Sequence, residues 1–122
     1  MTYADFQAYW ERAAEAEFEA YLRRSAAELV ADAGAGRYGD FYQLWRAIAA
    51  RSTLSLAGPV LLEVLRSEAP YLVRYHAATA LLSLLGSADL TPVDLAADRT
   101  GQDARLEAVE QMVRARLDAG AA

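Results

Sequence analysis

Residues 71–85 read Tyr71-Leu72-Val73-Arg74-Tyr75-His76-Ala77-Ala78-Thr79-Ala80-Leu81-Leu82-Ser83-Leu84-Leu85. At helical spacing, Tyr71, Tyr75, Ala78 and Leu82 line one side, and Val73, Ala77, Ala80, Leu81 and Leu84 line another. A helix with two apolar faces is packed between neighbours rather than laid on a surface. The stretch therefore predicts the centre of an all-α domain. Between its faces runs a narrow polar strip of His76, Thr79 and Ser83, at i, i+3 and i+7.

Upstream, Pro70 separates this segment from a helix expected over about 59–67, with Pro59 as its first residue, where a missing N–H costs nothing. Val60, Leu61, Val64 and Leu65 give that helix its buried side. Further back, Asp40 with Gln43 three residues on reads as a capping box opening a helix over about 40–51, whose apolar face is Phe41, Leu44, Trp45 and Ile48. Residues 3–32 carry Tyr3, Phe6, Trp10, Ala14, Phe18, Tyr21, Leu22 and Leu29 at helical spacing. That stripe drifts around the axis, so one curved helix and two shorter ones meeting near Ala20 both fit it. Gly34-Ala35-Gly36 supplies the residues that end a helix.

Downstream, residues 86–100 read as a longer connection with a short helix at 92–97 capped by Thr91. A last helix over about 101–119 opens with Thr100 and Asp103 in box-like spacing and is striped by Leu106, Val109, Val113 and Leu117. Glu110 and Arg114 form an i,i+4 pair in the favourable order. The expectation is a single domain over 1–122, a small helical bundle of about five helices.

Composition agrees with that class and narrows the function. The chain has 122 residues, among them 28 Ala, 17 Leu and a single Ile, a balance that favours helix over strand. There is no Cys, which excludes disulfides, thiolate metal sites and a Cys nucleophile. All 12 basic residues are Arg, so Schiff-base chemistry and a P-loop lysine are excluded too. The formal charge of −5 divides as −4 over residues 1–36, +2 over 37–86 and −3 over 87–122, the reverse of a phosphate-binding balance. The start Met1-Thr2-Tyr3-Ala4-Asp5 lacks the pattern of a secretory signal, and the most apolar run, Ala77 to Leu85, is far shorter than a membrane span. A cytoplasmic location with no membrane partner is expected.

Residues 59–86 resemble a HEAT-type repeat junction. The carrying residues are Leu61-Leu62-x-x-Leu65, then Pro70, then Val73-Arg74-x-x-Ala77-Ala78-x-Ala80-Leu81-x-x-Leu84-x-Gly86. In such repeats the Val-Arg pair opens the second helix and small Ala residues let helices approach closely. The Asp that commonly precedes that pair is missing here, where Ser67 and Glu68 stand. The segment order is similar to that of short bacterial HEAT-like proteins, and the Ala excess without Lys or Asn fits a GC-rich bacterial genome. The resemblance implies a stub of an α-α superhelix, since a solenoid needs about three stacked units. It implies an interaction module and no activity.

Few side chains offer chemistry. His76 is the only His, so a His-based metal cluster is excluded, and a triad would have to use this residue with Thr79 or Ser83 nearby. A structural His is the expectation, with neither catalytic residues nor cofactor. Glu11, Glu15 and Glu19 repeat at i,i+4, but the Glu-x-x-His of a di-iron bundle is absent, so they read as a solvated acidic face open to a basic partner. Trp10, Trp45, Tyr38, Tyr42, Tyr71 and Tyr75 read as core and core-edge packing, and Arg74 as a hydrogen bonder at a helix start. Tyr71, Arg74, Tyr75, His76 and Thr79 are the candidate partner contacts. The function expected is a non-catalytic protein- or peptide-binding module, an adaptor, antitoxin or immunity-type inhibitor, with a homodimer as a variant. The alternative is a nucleic-acid binder using Arg37, Arg46, Arg51, Arg66 and Arg74.

Overall fold

A computed structural model describes residues 2–86 and 99–120. Among them are six helices and no strand: α1 (Tyr3–Leu22), α2 (Ala26–Gly34), α3 (Gln43–Arg51), α4 (Leu54–Arg66), α5 (Tyr71–Leu85) and α6 (Arg99–Asp118). The fold is a small all-α bundle. The short helix expected at 92–97 with Thr91, and the side chain of Thr100, lie outside the described residues.

Residues 3–32 form two helices, and the break falls at Arg23-Arg24-Ser25 rather than near Ala20. Ser25 forces it. Its Oγ accepts the Glu28 N–H at 3.2 Å while Glu28 Oε1 accepts the Ser25 N–H at 3.2 Å, a closed capping box. Thr2 and Asp5 build the same box at the start of α1. Two expected starts are corrected. α3 does not open on Asp40, because Gly39 (φ 77°) and Tyr42 (φ 60°) turn the chain and helical geometry begins only at Gln43. α4 does not open on Pro59, because the Thr53 side chain already accepts the Leu56 N–H at 3.3 Å and starts the helix at Leu54. Pro59 lies inside α4, exposed, with its ring on the wet side.

α5 packs against α3, α4 and α6. Val73, Ala77, Ala78, Ala80, Leu81, Leu82 and Leu85 are buried on it, while Thr79 and Ser83 look outward. One core joins these to Leu29 and Ala33 of α2, Leu44, Trp45 and Ile48 of α3, Leu54 and Leu61 of α4, and Leu106, Val109 and Val113 of α6. Burying each large aliphatic side chain contributes about 1.5–3 kcal/mol. The Ala residues contribute by absence of bulk, letting helix axes close in. Arg66 ties α4 to α6 through both oxygens of Glu110, at 2.6 and 3.0 Å. That contact holds the Glu110 carboxyl below the usual range.

α1 stands apart from this scheme. It is twenty residues long, has no fully buried side chain and packs chiefly on α3, which is nine residues long. A short helix covers only part of a long one. Phe18 and Tyr21, in the second half of α1, rest half-buried against the core.

Candidate functional site

Two surface features carry chemistry or apolar area beyond ordinary packing: a cleft between α3 and α5, and the first two turns of α1.

The cleft measures about 280 Å³ and is lined by Tyr42, Gln43, Trp45, Arg46, Ala49, His76, Thr79, Ala80 and Ser83. Its rim is a stack. The Tyr42 ring lies on the His76 imidazole with centroids 4.7 Å apart and planes 20° from parallel, and Tyr75 meets the same imidazole edge-on at 5.0 Å. Tyr42 holds this position from a left-handed backbone conformation, which costs a non-glycine residue about 1–2 kcal/mol. Burial pushes the His76 imidazole below its ordinary pKa, so the neutral form prevails, and among the described residues no carboxylate lines the cleft.

The strained turn is held from outside its own segment. The Glu17 carboxylate of α1 accepts the backbone N–H groups of Asp40 at 3.3 Å, Phe41 at 3.0 Å and Gln43 at 3.3 Å. It does for α3 what Asp40 was expected to do. Nothing local in the sequence announces this, since Glu17 sits among four other carboxylates of α1 and its partners lie more than twenty positions away.

The candidate contacts divide. Tyr75, His76 and Thr79 come together at or beside the cleft, and Tyr71 lies 6.5 Å from Tyr75, ring to ring. Thr79 donates its hydroxyl to the Tyr75 carbonyl at 3.0 Å, and no hydrogen bond joins His76 to Thr79 or Ser83 among the described residues. Arg74 points elsewhere. Its Nε donates to the Leu65 carbonyl at the end of α4 at 3.0 Å, and its guanidinium stands 3.7 Å from Asp103 on α6.

Of the other central arginines three are engaged likewise, and exposed Arg51 has no hydrogen-bond or ion-pair partner among the described residues. Arg37 donates to Asp32 at 3.0 Å, Arg46 faces Glu15 at 3.3 Å and lies 3.7 Å over the Phe18 ring, and Arg66 grips Glu110. Among the described residues Asp32 is the one buried charged side chain, and Arg24 and Arg37 both bond it. Burial, the largest single influence, would raise its pKa, but the hydrogen bonds and the charges of the two guanidiniums together outweigh it and hold the carboxyl below the usual range.

At the tip of α1, Tyr3, Phe6, Gln7, Trp10 and Glu11 surround a hollow of about 340 Å³. Tyr3 is 76 % exposed, Phe6 49 %, Tyr9 54 % and Trp10 39 %. The sequence stripe placed Tyr3 and Phe6 on the same apolar face as Phe18 and Tyr21, and that much is geometry. Trp10 reaches Phe41, edge to face at 4.7 Å, and there the cover ends.

Among the described residues no group of three His, Cys, Asp or Glu side chains is gathered as a metal would need, and no helix is long and apolar enough to cross a membrane. No protein-family model matches the chain, and no curated protein or solved structure matches it.

Proposed function

We propose that this chain is a non-catalytic, protein-binding helical module of HEAT-like type that acts in the cytoplasm, and that it docks its partner on the first two turns of α1. The observation that carries this reading is the exposed aromatic row of Tyr3, Phe6 and Trp10 on a helix with no buried residue. A contiguous exposed apolar patch marks an interaction site, and Trp and Tyr are enriched where binding energy concentrates. The α4–α5 hairpin supports the HEAT-like part: Arg74, in the Val-Arg pair that opens α5, hydrogen-bonds the end of α4. The self-contained bonding of Thr79 leaves His76 with no activated nucleophile to serve as base. Carboxylate pairing of Arg37, Arg46, Arg66 and Arg74 removes most of the cationic surface that a nucleic acid would need.

The test is site-specific photocrosslinking in cells that make the protein naturally. A photoreactive phenylalanine analogue at position 6 should give a discrete adduct, and the same group at exposed Glu63 of α4 should give none. Silence at position 6 overturns the reading.

A further inference from the structure

We infer that the α1 tip takes a basic amphipathic helix, an Arg- or Lys-rich segment with an apolar stripe. The inference rests on the docking reading above and adds the chemistry of the partner.

The row Tyr3, Phe6 and Trp10 falls at i, i+3 and i+7, the ridge by which one helix packs into the groove of another. The shape therefore suits a helix. Charge selects which helix. Residues Tyr3–Leu22 carry five carboxylates against one guanidinium, a net −4. Three of those carboxylates are occupied: Asp5 caps its own helix, Glu15 faces Arg46, and Glu17 binds the α3 turn. Glu11, Glu19 and the single guanidinium, Arg12, have no hydrogen-bond or ion-pair partner among the described residues. At helical spacing Glu19 and Arg12 fall on the side of α1 away from the row, and Glu11 borders the aromatic hollow itself. An incoming helix with apolar residues on the row and a cation beside it would cover the rings and neutralise Glu11 in one placement. A second copy of this chain offers the wrong charge, because tip against tip sets Glu11 of one copy beside the acidic α1 of the other.

The experiment measures binding of two synthetic amphipathic helices of about 18 residues to the intact chain by calorimetry, one built of Leu and Lys, the other of Leu and Glu. The Leu/Lys peptide should bind and the Leu/Glu peptide should not. Affinity should fall as salt rises. Phe6→Ala and Glu11→Arg should each weaken it by about tenfold or more while the circular dichroism spectrum and melting temperature hold, since both side chains are exposed. Equal binding of the two peptides overturns the charge selection and leaves α1 docking standing. Leu/Lys binding that Phe6→Ala does not change places the peptide elsewhere and overturns the inference. If neither peptide binds and the chain is a dimer that Phe6→Ala splits, a second copy is the occupant, and again the inference fails while α1 docking stands. Should neither bind, the chain be monomeric and position 6 be silent to crosslinking, both readings fall.

Discussion

The carboxylate of Glu17 binds the backbone N–H of Gln43 across 26 positions of sequence, so α1 supplies the cap that α3 lacks. The Tyr42 side chain, at the local cap position, makes no cap hydrogen bond. Glu17→Ala should therefore destabilise the protein by about 1–2 kcal/mol, the usual worth of a cap, or roughly 5 °C in melting temperature. Asp40→Ala should stay within about 0.5 kcal/mol. Thermal melts of the two variants check the contrast, and equal effects would contradict the assignment.

Gly39 is the residue that lets Glu17 in. At φ 77° it adopts a conformation that L side chains rarely reach, and a Cβ there would run into the Glu17 carboxylate and the Tyr21 hydroxyl. Gly39→Ala should cost more than about 2 kcal/mol and speed amide exchange at positions 40–43. Gly36→Ala has the same backbone strain with open space around it, and should cost less.

His76 gives the protein an acid sensitivity with a defined sign. Its folded pKa lies below the unfolded value, so the unfolded chain takes up the proton first as pH falls. Stability is full above the ordinary imidazole range and declines as pH drops through and below it. Arg46 is the charged group in the same cleft, and Tyr42 and Tyr75 face the ring. In His76→Phe, which keeps an aromatic ring for Tyr42, the melting temperature should change less between pH 7.5 and about pH 5.5, the interval around the usual imidazole pKa. Parallel melting curves for the two proteins would count against a half-buried neutral imidazole.

Asp32 titrates in the opposite circumstances. With Arg24 and Arg37 in place its folded pKa is depressed, so its contribution is present at neutral pH and is lost only as pH falls below the ordinary carboxylate range. Asp32→Ala should cost about 2 kcal/mol at pH 7, discounted because both guanidinium partners are partly exposed. Arg24→Met with Arg37→Met leaves the carboxyl buried without cations. Burial then raises its pKa, and this double variant should lose stability as pH rises from about 4 to 7, where the parent does not. Urea midpoints at the two pH values measure it.

The all-α class was legible because α5 is apolar on two faces, and two-faced helices have few places to go. Its packing against three other helices is the physical consequence of that pattern. Helix ends governed by neighbours in sequence are legible in principle, yet the Ser25–Glu28 box that divides α1 from α2 is masked by the drifting stripe, and the Thr53 cap of α4 by the stronger helix-start pattern of Pro59. Helix ends governed by distant groups were closed to it. Asp40 looked like a cap only because Glu17 is far away in the chain and adjacent in space. The aromatic tip was half legible: periodicity put Tyr3 and Phe6 on the inner face, but periodicity does not know that α3 is too short to reach them. The cleft is a product of the same kind, since Tyr42 and His76 stack only after Gly39 and Glu17 have set the turn.

The carboxylate pairing of Arg37, Arg46, Arg66 and Arg74 decides what an approaching molecule senses before contact. Within a Debye length of about 8 Å, four of the five guanidiniums in the middle of the sequence present a neighbouring carboxylate along with their own charge, and Arg51 alone stands unpaired among the described residues. With a formal charge of −5 on the whole chain, a cationic molecule arriving within that range gains more than an anionic one.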